Sequence, residues 1–270
     1  MAFAFRAFAK WTKANDTTQP GGPMTQTARA PERLQSLRKK PLGDQPAVRA
    51  LLLPIKDLRS AKQRLTGVLT PDQRFGLAQS MLTDTIRAVC GVKRADKIFV
   101  VTNYVPAIEI AAKYGWEILR EERQISESAS VDFASKLCAR RGIAALLRLP
   151  IDLPLVQPSD IDALLATEYA APAVVMVPSR DGTGTNAILR TPPALFPSHF
   201  GPNSFAKHRS EAEQAGAKVV IKRNERLEMD VDDESDLREL LRHDLTHTTT
   251  GKWLEEGGVA ARFTTRAAEA

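Results

Sequence analysis

Four cations fall within nine residues, at Lys56, Arg59, Lys62 and Arg64, directly after an apolar run that ends at Pro54. Arg offers forked donors to paired oxygens and Lys a point charge, so the group suits a triphosphate. A solvated basic turn would have the same residues. The stretch is not a P-loop, because that motif's glycines and its Lys-Ser/Thr pair are absent. Further along, Asp152 closes an apolar run and is fenced by Pro150 and Pro154. A carboxylate is costly to bury without a partner. Mg²⁺ is a suitable one, since it takes one or two carboxylates together with substrate phosphates; a turn or helix cap is the plainer role. A third acidic stretch, Met229-Asp230-Val231-Asp232-Asp233-Glu234, places Asp230 and Asp232 on one face if a strand continues through them. These two are expected to complete a metal site with Asp152, while Asp232 or Asp233 caps the helix that follows.

Two loops could hold an anion. Residues 180–186, Arg-Asp-Gly-Thr-Gly-Thr-Asn, offer glycines that let backbone N–H groups approach a ligand and hydroxyls at Thr183 and Thr185. Phe200-Gly201-Pro202-Asn203-Ser204 opens a helix, with Lys207 and His208 one turn in. Free N–H groups at a helix start bind phosphate or carboxylate; an ordinary cap, with His208 on the helix surface, is the alternative. A cationic loop, acid clusters and two anion-friendly loops suit phosphoryl chemistry on a polyphosphate.

The elements that must position these residues follow from periodicity. Apolar runs at 48–54, Lys97–Thr102, 116–119, 144–151 and Ala173–Pro178 read as strands. Helical spacing follows most of them. Thr70-Pro71-Asp72-Gln73 is a helix start with a Thr cap, Pro in the first turn and Gln three residues on. Further helices are expected at 106–114, 129–141, 159–167, 204–215 and 234–242, and short strands at 187–190, Lys218–Ile221 and 227–229. Repeated strand–helix units predict an α/β fold with a mostly parallel, Rossmann-like sheet and helices on both faces. Ligands of such sheets bind outside the carboxyl ends of the strands. Four of the five candidate segments lie just after a strand; the fifth opens a helix.

Composition bounds the remainder. The net charge of +6 would invite a nucleic-acid partner. Residues 1–47 hold 8 Lys/Arg against 3 Asp/Glu and residues 243–270 hold 3 against 4, which leaves 27 against 25 for residues 48–242. The body therefore lacks the basic face a nucleic-acid-binding domain carries. No apolar run approaches the ~20 residues of a membrane helix, and a cytoplasmic protein is expected. Cys90 and Cys138 read as buried free thiols. Residues 1–46 lack periodicity and are expected to be a disordered extension. The domain is expected over 47–242, with a weakly structured tail over 243–270.

In this order, the segments resemble the 2-phospho-L-lactate guanylyltransferase family known as CofC or FbiD. The resemblance covers about residues 48–242. It rests on P-I-K…A-K-x-R-L from Pro54, P-I-D-L-P-L from Pro150, G-T-N at Gly184, F-G-x-x-S-x-x-x-H from Phe200 and D-x-D…D-L from Asp230. It implies a three-layer α/β/α sandwich related to the molybdenum-cofactor (MobA-like) and sugar nucleotidyltransferases. It further implies that GMP passes from GTP to 2-phospho-L-lactate, phosphoenolpyruvate or 3-phosphoglycerate. Pyrophosphate would be released, in biosynthesis of the deazaflavin coenzyme factor 420. By position, Asp152, Asp230 and Asp232 would hold Mg²⁺. Thr185 or Asn186, Gly201 and Ser204 would hold the acid, and Pro54, Lys56, Lys62 and Arg64 would face the nucleotide. Asp132 stands where family members usually have Asn, and its carboxylate would accept the N1–H and N2–H of guanine. A monomer or homodimer is expected, with a downstream lactyl-transfer enzyme as a possible partner. The rival readings are a cytidylyl- or molybdopterin-type transferase and a catalytically silent nucleotide-binding protein of the same fold.

Overall fold

The computed structural model describes residues 47–265; the extension at 1–46, with the expectation placed on it, and residues 266–270 lie outside the described residues. Seven strands run as β1 (Arg49–Pro54), β2 (Lys97–Thr102), β3 (Glu117–Arg120), β4 (Ala145–Arg148), β5 (Ala173–Pro178), β6 (Thr185–Thr191) and β7 (Lys218–Ile221). They form one sheet in the order β3-β2-β1-β4-β6-β5-β7. Helices α1 (Pro71–Cys90), α2 (Val105–Lys113), α3 (Glu127–Arg140) and α4 (Pro158–Leu165) make the crossovers between the first five strands. Residues 50–54 of β1 and all of β5 are buried, so both faces of the sheet are covered and the architecture is a three-layer sandwich. On one face Ala50 and Leu52 of β1 pack with Phe99 of β2 and with Val131, Ala134 and Cys138 of α3. The Thr70–Gln73 capping box forms as its sequence signature predicts.

One strand runs against the others. β6 is antiparallel to both β4 and β5. Only residues 179–184 separate β5 from β6, a hairpin far shorter than the dozen or more residues that a parallel crossover needs. The reversal matters for the site. It brings the first residues of β6, Thr185 and Asn186, to the same sheet edge as the last residues of β1 and β4.

After β6 come α5 (Ser204–Gln214), β7, a single helical turn α6 (Glu225–Glu228) and α7 (Glu234–Leu240). The strand expected at 227–229 is therefore not formed. The Asn224 side chain instead accepts from the N–H groups of Arg226 and Leu227 and closes a turn. The weakly structured tail is also corrected. Residues beyond 242 form α8 (Thr249–Glu256) and α9 (Val259–Thr265). Leu254, Val259 and Phe263 from these helices are buried in one core cluster with Leu65, Leu77 and Met81. The buried Asp84 of α1 accepts from the N–H groups of Thr249 and Thr250 and from the Thr250 hydroxyl, and so caps α8 from across the fold. A side chain at Gly76 would meet the Trp253 indole at 2.7 Å, which is how closely α8 lies on α1. Of the two thiols, Cys138 is buried as expected and Cys90 is exposed. Among the described residues no helix is long and apolar enough to cross a membrane.

Candidate active site

A cleft of about 260 Å³ opens at the carboxyl edge of the sheet, and its lining includes Pro54, Lys56, Lys62, Glu127, Arg148 and Asp152. Pro54 ends β1, and two 3₁₀ turns, Leu58–Ser60 and Gln63–Leu65, fold the cationic segment back over the edge. Lys62 lies between these turns in the left-handed region, with φ 56°. That conformation is uncommon for a residue with a Cβ and collects at functional sites. It aims a side chain only 7% exposed at two carboxylates. Nζ is 2.5 Å from Asp152 Oδ2 and 3.0 Å from Asp232 Oδ1. Burial alone would depress this lysine; the charges of Asp152 and Asp232 outweigh it and raise its pKa. Lys56 lines the cleft and has no ion-pair partner among the described residues. Arg64 is the outlier: it is 66% exposed and reaches Asp232 only at 3.7 Å.

The acid clusters do converge. The carboxyl of Asp230 is pushed up to about 7, first by burial and then by the charge of Asp152. Asn186 Nδ2 opposes that by donating to Asp230 Oδ1 at 3.1 Å, and it also donates to the Leu227 carbonyl at 3.0 Å. Both of its amide hydrogens are thus committed, one to Asp230 and one to the Leu227 carbonyl, which ties Asn186 to the acid cluster. Asp232 is held low, chiefly by Lys62. Asp233, not Asp232, caps α7, accepting from the Asp236 N–H. Three carboxylates therefore face one buried ammonium and an outlying Arg64. Among the described residues no three His, Cys, Asp or Glu side chains are already gathered as a ligand set for one ion.

A second cluster lies beside the start of β6. Ser204 is the first residue of α5 and buried, and its Oγ is 3.3 Å from Thr185 Oγ1. Asn203 occupies the cap position with φ 57° and makes no side-chain cap bond, so Ser204 is not the cap. Gly201 has φ +113°, and a Cβ there would meet nothing within 4 Å. The glycine is required by its backbone angle, and the space before it is open. Arg148 connects the two clusters. Its Nη1 donates to the carbonyls of Thr185 and Asn186, its Nη2 pairs with Glu127, and its guanidinium lies 4.2 Å from the Phe200 ring centre.

Two sequence expectations are not met. Asp132 does not line the cleft. Its Oδ1 accepts from the Ser198 N–H at 2.9 Å, and its charge faces the fully buried Arg190. A guanidinium taken out of water needs that compensation, which gives Asp132 a structural role in place of base recognition. The loop at 180–184 is not an anion cradle either. Asp181 accepts from the N–H and hydroxyl of Thr183 and from the Ser179 hydroxyl, while Ser179 Oγ accepts from the Gly184 N–H. The donors that would have met an anion are satisfied internally, and those bonds, led by Ser179, hold the Asp181 carboxyl down at about 2. Sequence reading also missed Arg148 and His208. A charge inside the apolar run of β4 was a signal for the first. His208, placed on a helix surface by the cap reading, is buried.

An α/β sheet with a cationic turn after β1, an acid after β4 and an acid cluster beside it defines a nucleotidyltransferase, and the comparisons agree. A Desulfovibrio desulfuricans G20 structure classed with the nucleotide-diphospho-sugar transferases shares the fold, with a TM-score of 0.63 at 15% identity, over 79% of this chain and 96% of that one. The model of the family described as "Guanylyl transferase CofC like" matches residues 49–269. A phosphoenolpyruvate guanylyltransferase of Rubrobacter xylanophilus is 35% identical over 189 residues, 70% of this chain and 91% of its own length. A 2-phospho-L-lactate guanylyltransferase of Methanothermobacter thermautotrophicus is 30% identical over 192 residues, 71% of this chain and 83% of its own. The chain belongs to the CofC-like guanylyl transferase family. The match runs through α8 and α9, past the limit of 242 read from the motifs.

Proposed function

We propose that this nucleotidyltransferase moves GMP from GTP to a phosphorylated three-carbon acid, either 2-phospho-L-lactate, phosphoenolpyruvate or 3-phosphoglycerate. The observation that carries the reading is the pairing of two sites across Arg148. One is a cleft with Lys56, Lys62 and Asp152; the other is the Thr185–Ser204 hydroxyl pair beside the open space at Gly201. Family membership supplies guanine and the acid class. A phosphate oxygen of the acid attacks the α-phosphorus of GTP, a new P–O bond forms, and the bond to pyrophosphate breaks. The attacking oxygen is already ionised near neutral pH, so no strong general base is required. What the protein must do is bring two polyanions together. Lys56 and Lys62 offset the charge of the triphosphate. The Thr185–Ser204 hydroxyl pair holds the acid.

Mg²⁺ would be held by Asp152, Asp230 and Asp232, which the structure brings near one another around Lys62 without gathering them as a ligand set. The donor set is hard carboxylate oxygen. One of the three carboxyls, that of Asp230, is driven toward protonation by burial and by the charge of Asp152, and a bound cation would offset both. When bound, the ion would supply electrostatic stabilisation of the phosphates.

The test is pyrophosphate release with GTP, ATP, CTP and UTP against each of the three acids and against an alcohol phosphate, with Mg²⁺ and with the downstream lactyl-transfer enzyme present to draw off product. GTP with one acid should dominate. Turnover of CTP with an alcohol phosphate would favour a cytidylyl transferase instead. No release with any pair would leave only a binding protein.

A further inference from the structure

His208 lies on α5 one turn in from Ser204 and is 1% exposed. Phe196 and Phe200 flank its ring at centroid distances of 6.2 and 4.9 Å. Both ring nitrogens have partners. The backbone N–H of His199 donates to Nε2 at 2.8 Å, and Thr185 Oγ1 lies 3.0 Å from Nδ1. A backbone amide can only donate, so Nε2 carries a lone pair. In a neutral imidazole the proton is then on Nδ1. Neutrality follows from burial, and next from the charges of Arg190 and Arg148, which together hold the ring down at about 3.

Nδ1–H therefore donates to Thr185 Oγ1. Among the described residues, the only other partner of that hydroxyl is Ser204 Oγ, and Ser204 Oγ has no further one. Two hydroxyls carry two hydrogens and share one bond. Whichever donates to the other, one hydrogen of the pair is left for an acceptor outside it. With a bare Nδ1 the outcome would reverse. Thr185 would donate to the ring, Ser204 would donate to Thr185, and the pair would present only lone pairs. An anion would then be repelled where it should be held.

We propose that His208 is a positioning residue that, by donating from Nδ1, turns the Thr185–Ser204 hydroxyl pair into a net hydrogen-bond donor toward an anionic oxygen of the acceptor acid. This rests on the reading that the pair holds the acid. The polarity is set from outside the pocket, by a main-chain amide whose role cannot reverse. It therefore persists whether or not substrate is bound.

The test has two arms on the full chain. Long-range ¹⁵N–¹H correlation spectra of the ¹⁵N-labelled wild type should show His208 neutral, protonated on Nδ1 and bare at Nε2. A ring protonated on Nε2, or on both nitrogens, overturns the proposal without any variant. The second arm compares the KM values for acid and GTP in His208→Leu, His208→Asn, Thr185→Val and Ser204→Ala, each with its melting temperature. Leu keeps the packing and removes the donor. Asn returns an N–H close to the position of Nδ1–H. His208→Leu should raise KM for the acid roughly tenfold, the scale of one hydrogen bond to a charged group, and leave that for GTP unchanged; His208→Asn should recover most of it. If Leu behaves like wild type and Asn is worse, the ring is a packing element and the proposal fails alone. If Thr185→Val and Ser204→Ala also leave KM for the acid unmoved, the acceptor reading fails and takes the proposal with it.

Discussion

Asp152 shares Lys62 with Asp232, and replacing it by Asn keeps the size while removing the charge. Asp152→Asn should reduce pyrophosphate release at least ~100-fold, the scale of losing one major electrostatic stabiliser, with little change in the melting curve. Wild-type turnover at saturating Mg²⁺ would remove Asp152 from the metal site. Asp132 gives the opposite expectation. Asp132→Ala should leave the KM for GTP within about twofold and lower stability by about 1–3 kcal/mol, because the Ser198 N–H loses its acceptor. A large rise in KM for GTP, with an unchanged melting temperature, would return Asp132 to the base pocket. At this scale the residues legible in the sequence were those whose charge is costly to place without a partner or ligand. Lys62 in a basic turn, Asp152 in an apolar run and Asp230 in an acid cluster are of this kind. Asp132 and the loop at 180–184 misled because their partners, Arg190 with Ser198 in one case and Ser179 in the other, are ordinary residues whose proximity only the fold decides.

Elements were legible wherever local chemistry dominates. The capping box at Thr70 and the buried runs of β1, β2 and β5 follow from short-range rules of side-chain capping and apolar continuity. The direction of β6 was available from the length of its hairpin, but an expectation of mostly parallel strands hid it. The strand expected at 227–229 rests on three residues, too few to carry a decisive period, and the turn at 225–228 takes their place. Helix α8 depends on a residue distant in sequence. Thr248 caps it locally by accepting from the Gly251 N–H, and Asp84 satisfies the N–H groups of Thr249 and Thr250. Asp84→Ala would leave these donors in a buried setting without a partner. The cost should be about 1–3 kcal/mol, a fall of several degrees in melting temperature for a domain of this size, while the KM values for GTP and acid stay at wild-type level. A variant as stable as wild type would show that the local Thr248 cap suffices.

The molecule as a whole is larger than its motifs. All the chemistry lies before residue 242, and a sequence reader who follows the chemistry ends the domain there. The core continues into α8 and α9 because α1 alone cannot cover its own apolar face. Leu65, Leu77 and Met81 share a cluster with Leu254, Val259 and Phe263, the last three 1%, 0% and 8% exposed. Removing residues 243–270 would take away those three side chains and uncover their partners. At about 1.5–3 kcal/mol for each large apolar side chain buried, the loss approaches the 5–15 kcal/mol that holds a typical domain together. The truncated chain should therefore unfold at a much lower temperature, bind a dye for exposed apolar surface, and lose turnover although every proposed site residue is present. Adding GTP should restore part of the lost melting temperature, since a ligand that binds only the folded state stabilises it by mass action. If the truncated chain melts within a few degrees of the full one and turns over normally, α8 and α9 are an appendage and the domain ends where the motifs end.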